Sequence, residues 1–98
     1  MRFVIKNKLY DTSKMVLVAK VEKWYEYTAW LQKQLFGEGV GRLYDCDLYR
    51  SQKGNWLLVH SDSDVYKAEA ISECEAKSLL MHYDYDAFAK EFGELEEA

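Results

Sequence analysis

Arg42-Leu43-Tyr44-Asp45-Cys46-Asp47-Leu48-Tyr49-Arg50, Ser51-Gln52-Lys53-Gly54 and Asn55-Trp56-Leu57-Leu58-Val59-His60 run consecutively through the middle of the chain, and their reading decides the fold class. Two strand-like runs flank a polar segment ending in glycine, which is a hairpin pattern. Ser61-Asp62-Ser63-Asp64 reads as a second turn, and Val65 to Ile71 as a further strand. The middle of the chain is therefore expected to form an antiparallel meander.

Toward the N-terminus, Phe3-Val4-Ile5 and Leu9-Tyr10 flank Lys6-Asn7-Lys8, which predicts a short hairpin with Asn7 in its turn. Met15 to Trp24 alternates, with Leu17, Ala19 and Val21 on one face and Lys20 and Glu22 on the other. Thr12 or Ser13 offers a helix cap here, but Val16, Val18 and Val21 favour a strand. Tyr27, Trp30, Leu31 and Leu35 recur at helical spacing between Thr28 and Gly37, which predicts a helix at about 28–36. Gly37-Glu38-Gly39-Val40-Gly41 reads as a flexible connector.

Toward the C-terminus, Ser72-Glu73-Cys74-Glu75 has the form of a capping box, in which the serine and the second glutamate satisfy each other's backbone amides. Ala76, Leu79, Leu80 and Tyr83 follow at helical spacing as one buried stripe. Asp84 can cap a second helix, in which Tyr85, Phe88, Ala89 and Phe92 repeat the spacing and Gly93 supplies the stop. This order predicts an α+β fold in a single domain spanning 1–98. It has an antiparallel sheet of about four to five strands, one short helix after the first strands and two C-terminal helices.

Ninety-eight residues, 49% of them hydrophobic and 15% aromatic, suffice for one core and leave little room for a large cleft. No run approaches the eighteen or so apolar residues of a membrane span, and no secretory leader is indicated. With two cysteines only, Cys46 and Cys74, the expectation is a cytoplasmic protein with reduced thiols.

The net charge of −4 conceals an asymmetry. Residues 1–42 hold eight basic and four acidic side chains, whereas residues 43–98 hold five basic and thirteen acidic ones. Asp84, Asp86, Glu91, Glu94, Glu96 and Glu97 crowd the end of the chain against Lys90 alone. Such a split bears on partners and association.

Catalytic constellations are missing from the pattern. His60-Ser61-Asp62 contains the residue types of a hydrolase triad, but three consecutive residues at a strand end cannot converge on one another. Cys46, His60, Cys74 and His82 match a zinc site in number and not in spacing, because no close pair pre-positions two ligands. Asp62 and Asp64 lack the glycine and terminal glutamate of a calcium loop. Gly37, Gly39 and Gly41 follow a predicted helix and precede a strand, the reverse of a phosphate loop. The reading is a non-enzymatic protein with no metal and no cofactor.

Binding surfaces are the stronger signal. Trp24, Tyr25, Tyr27 and Trp30 crowd one junction, and Trp and Tyr are enriched among interface anchors. Asp84, Asp86, Glu91 and Glu94 can present carboxylates where a nucleic-acid-binding protein expects phosphates. The partner-binding set is thus Asp84, Asp86, Glu91, Glu94, Trp24, Tyr25 and Tyr27. The alternative is a nucleic-acid-binding accessory protein using Lys6, Lys8, Lys14, Lys20 and Lys23, although the acidic half disfavours direct nucleic-acid binding. Pairing of the basic half of one chain with the acidic half of another, as in a homodimer, is a third option.

Leu9-Tyr10-Asp11-Thr12, Leu48-Tyr49-Arg50 with Lys53-Gly54-Asn55-Trp56, Ile71-Ser72-Glu73 with Glu75-Ala76-Lys77, and Phe92-Gly93-Glu94 occur in that order. In these segments the chain resembles small uncharacterised proteins carried by phages and integrated mobile elements of Gram-positive bacteria. The resemblance spans most of the chain, through motifs that are structural and carry no catalytic residue. It implies a context in which small acidic proteins inhibit host defence, as anti-CRISPR and anti-restriction proteins do. The 37–41 glycine segment lies outside the resembling pattern.

Overall fold

Strand β5 (Trp56–Asp62) is buried on both of its faces from Trp56 through His60. Trp56 and Leu58 point to one side of their sheet and Leu57 and Val59 to the other, and each side has its own apolar cluster. The computed structural model describes residues 1–26 and 41–98 of the chain.

The other elements are β1 (Arg2–Ile5), β2 (Lys8–Asp11), a 3-10 turn (Thr12–Lys14), β3 (Val16–Glu26), β4 (Gly41–Arg50), β6 (Val65–Ile71), α1 (Glu73–Tyr83) and α2 (Tyr85–Phe92). Strands β3-β4-β5-β6 form an antiparallel four-stranded sheet in that spatial order. Strands β1 and β2 form a separate hairpin. The fold is α+β; the expected antiparallel sheet has four strands, and the N-terminal hairpin stands apart from it as a second sheet. Hairpin residues Phe3, Ile5 and Tyr10 pack across Leu57, Val59, Ala68 and Ala70, so the hairpin forms a layer over the main sheet. The helix expected at about 28–36 falls outside the described residues, as do positions 37–40 of the glycine segment.

The two tight hairpins follow from turn chemistry. Ile5 pairs with Lys8 and Asp62 with Val65, so each loop has two residues. Lys6, Asn7, Ser63 and Asp64 all have positive φ, which matches the twist of the flanking strands. Lys8 and Asp62, expected in turns, belong to strands instead. Gly41 opens β4 where a Cβ atom would stand 2.0 Å from the Tyr25 carbonyl oxygen, so this position excludes any side chain.

Opposite the hairpin, α1 and α2 cover the sheet through Ala76, Leu80 and Phe88 on Ala19, Val21, Cys46, Leu48, Trp56 and Leu58. The Ser72 hydroxyl accepts from the Glu75 amide as a cap. The reciprocal half of the capping box is replaced, because the Glu75 carboxylate turns to Lys23. Asp84 closes α1 by donating its N–H to Leu80 and opens α2 by accepting from Ala87. Gly93, at φ 91°, ends α2 with its N–H on the Ala89 carbonyl.

Three facing assignments change. Leu17 does not share a face with Ala19 and Val21: the β3–β4 register shifts between Leu17 and Ala19, and the bulge turns Leu17 to solvent. Tyr83 is exposed, since the buried stripe of α1 stops at Leu80, one turn before the helix ends. Tyr85, at the start of α2, is exposed as well.

Because β5 is enclosed on both sides, truncation toward either layer should cost alike. Leu57→Ala and Leu58→Ala are each expected to lose about 2–5 kcal/mol in urea unfolding. A Leu57→Ala variant as stable as the parent would show that the hairpin does not cover that face.

Candidate functional site

Asp84, Asp86, Glu91 and Glu94 all lie on or next to α2, yet they do not form one free surface. Asp84 is occupied as the shared cap of both helices. The Glu91 carboxylate accepts from Arg50 Nε at 2.7 Å, fastening α2 to the end of β4, and its side chain is largely buried. Asp86 and Glu94 are exposed and have no ion-pair partner among the described residues.

The aromatic members separate further. Trp24 is 46% exposed and pairs across strands with Leu43, on the sheet face away from the helices. Tyr25, one residue on, points inward and packs against the helix-side core. Tyr27 lies outside the described residues. Trp24 and Tyr25 therefore lie on opposite faces of the sheet.

A different group of exposed side chains lies along the chain around the α1–α2 junction. Met81 and Tyr83 end α1, Tyr85 begins α2, and Leu95 follows the stop; all four are exposed. Tyr85 stacks on Phe88 with ring centroids 5.9 Å apart. Its hydroxyl accepts from the Leu95 amide at 2.9 Å, which folds the chain after Gly93 back toward the start of α2. Asp86 stands in the first turn of α2 beside this apolar group, and Glu94 adjoins Leu95. Met81, Tyr83 and Leu95 escape a reading by helical spacing, because spacing alone assigns Tyr83 to the buried stripe.

A second cluster of chemically capable side chains lies inside the helix face. Lys23 of β3 is clamped by Glu69 of β6 and, at 3.3 Å, by Glu75 of α1. Burial pulls the Lys23 pKa down, but the two carboxylates outweigh that and hold it above its ordinary value. Beside it, His60 lies between Tyr25 and Tyr44, with ring centroids 4.5 and 4.7 Å away. Arg42 covers the outer face of Tyr44 at 4.4 Å. Burial raises the Tyr25 phenol well above its usual range and pushes the Cys46 thiol up to about 11. This cluster ties β3, β6 and α1 together.

The four candidate zinc ligands also separate: Cys46 is buried in the helix-side core and His60 against Tyr25 and Tyr44, whereas Cys74 and His82 are exposed on α1. No group of three or more His, Cys, Asp or Glu able to hold a metal occurs among the described residues. No helix among them is long and apolar enough to cross a membrane. Comparison of the chain with family models, curated proteins and solved structures returns no match.

The Nδ1 atom of His60 is buried and finds no hydrogen-bond partner among the described residues. Burial, then the nearby Lys67 charge, lower its pKa below the ordinary value. The unfolded chain takes up that proton near pH about 6.5, while folded His60 still resists it. Stability should therefore fall as pH drops below about 6.5, until folded His60 is itself protonated. Urea midpoints measured across this range should decline for the parent, and His60→Phe, which keeps the stack between the tyrosines, should remove that part of the decline. An identical decline in the variant would contradict the assignment.

Proposed function

We propose that this chain is a non-enzymatic protein-interaction domain of a mobile element. Its partner is a host defence or nucleic-acid-handling protein with a basic surface. The observation that carries this reading is the exposure of Met81, Tyr83, Tyr85 and Leu95 around the α1–α2 junction and the α2 stop, with Asp86 and Glu94 exposed and without an ion-pair partner among the described residues. Aromatic anchors ringed by charges of one sign are the usual make-up of an interface that selects an oppositely charged partner. Carboxylates in that setting compete for a surface evolved to hold phosphates, and they do so with the same sensitivity to salt. The resemblance to small proteins of phages and mobile elements supplies the biological setting. Asp84 and Glu91 serve the fold, so the binding roles fall to Asp86, Glu94, Tyr83 and Tyr85.

Affinity capture from cells carrying the element, with the tagged parent and its variants side by side, tests this. A host protein held by the parent should be lost with Asp86→Lys/Glu94→Lys and with Tyr83→Ala/Tyr85→Ala, while circular dichroism shows both variants folded. Each tyrosine truncation at an interface anchor is expected to weaken binding by more than about 1 kcal/mol. A partner retained equally by both double variants would remove the junction from the interface.

A further inference from the structure

A cavity lies on the side away from the helices, between the N-terminal hairpin and the β4–β5 turn. It measures about 750 Å³ and is lined by Lys8, Leu9, Tyr10, Asp11, Lys14 and Met15 on one side and by Ser51, Gln52, Lys53 and Asn55 on the other. Three lysines therefore converge from segments about forty residues apart in the chain. None of Lys8, Lys14 and Lys53 has an ion-pair partner among the described residues, in contrast to Lys23, Arg50 and Lys67. The one acid in the wall, Asp11, is already engaged. It accepts from both the backbone amide and the hydroxyl of Ser13 and pairs with Arg2 at 3.4 Å. Those contacts, the Ser13 hydroxyl foremost, hold its pKa below the ordinary carboxylate value.

The frame of this groove is built by the fold. Tyr10 is buried in the hairpin-side core, and the Asp11 cap sets the turn that carries Lys14. Ser51 accepts through its hydroxyl from the Asn55 amide and closes the β4–β5 turn with the Gly54 N–H on its carbonyl at 3.0 Å. This holds Lys53 at the turn's tip. Gln52 and Asn55 add uncharged side-chain donors, and exposed Leu9 with half-buried Met15 adds an apolar wall.

We propose that this groove binds a single nucleic-acid strand, with the phosphodiester backbone on Lys8, Lys14 and Lys53 and the bases toward Leu9 and Met15. A duplex, whose bases are stacked inward, would meet the lysines and leave the apolar wall uncovered. The site differs from the lysine set apparent in the sequence: Lys23 is locked between two glutamates, whereas Lys53, from the acidic half, joins the groove. It is also separate from the α1–α2 junction, which lies on the helix side of the sheet, so either assignment can fail alone.

Fluorescence anisotropy of a labelled mixed-sequence single-stranded DNA oligonucleotide tests the proposal. With three phosphates neutralised, affinity should fall roughly twentyfold between 50 and 200 mM salt. Lys8→Glu, Lys14→Glu and Lys53→Glu should each weaken binding about tenfold or more at low salt, and the triple variant should abolish it. Lys90→Glu, an equal charge change on the helix side, should bind as the parent does, and circular dichroism should show all variants folded. The same sequence as a duplex should bind more weakly. The proposal is overturned by any of three results: no binding at low salt, equal losses for Lys90→Glu and the groove variants, or competition by polyglutamate as strong as by the oligonucleotide.

Discussion

The double-sided burial of β5 is the constraint from which the rest of the architecture follows. Trp56-Leu57-Leu58-Val59-His60 offers apolar surface in both directions at once, so a sheet containing it needs a cover on each face. The described residues meet that need with unlike layers: a small hairpin on one side and two short helices on the other. Burying a leucine side chain contributes about 1.5–3 kcal/mol, so neither layer is dispensable for a domain of this size. The helix layer is further fixed at two points, by Lys23 between Glu69 and Glu75 and by Arg50 on Glu91.

This layering also sorts the charge. The acidic end of the chain forms the helix layer, and lysines of the hairpin and the β4–β5 turn face the other way, with the four-stranded sheet between them. The asymmetry between the two halves of the sequence thus becomes, in part, an asymmetry between two sides of a sheet. The correspondence is incomplete for a physical reason. Lys23 belongs to the basic half and is consumed inside the acidic layer, while Lys53 belongs to the acidic half and sits at the basic groove.

What could be read from the sequence was what local chemistry decides. The meander from Arg42 to Ile71, the Ser72 and Asp84 caps and the Gly93 stop each depend on residues within a few positions of one another. Separation of the strands into two sheets was not legible, since hairpin pairing is local and the choice of which hairpin joins which sheet is not. Leu17 was misplaced because a bulge breaks strict alternation, and Tyr83 because spacing does not reveal where a helix outruns its cover. At the candidate sites, the partner of Lys23 lies 46 residues away and that of Glu91 41 residues away. Asp84 was legible as a cap, but no spacing rule could have shown that Glu91 is held by Arg50 while Asp86 and Glu94 have no ion-pair partner among the described residues.

The central claim is that the sheet separates the acidic, aromatic α1–α2 junction from a lysine-lined groove and that each surface recognises its own partner chemistry. Amide chemical shifts recorded during two titrations test it directly, one with a short oligolysine peptide and one with a single-stranded oligonucleotide. The account predicts two sets of perturbed residues that do not overlap: Tyr83, Tyr85, Asp86 and Glu94 with the peptide, and Lys8, Lys14, Gln52 and Lys53 with the oligonucleotide. Perturbation of the same residues by both ligands, or of neither set by either, would contradict it.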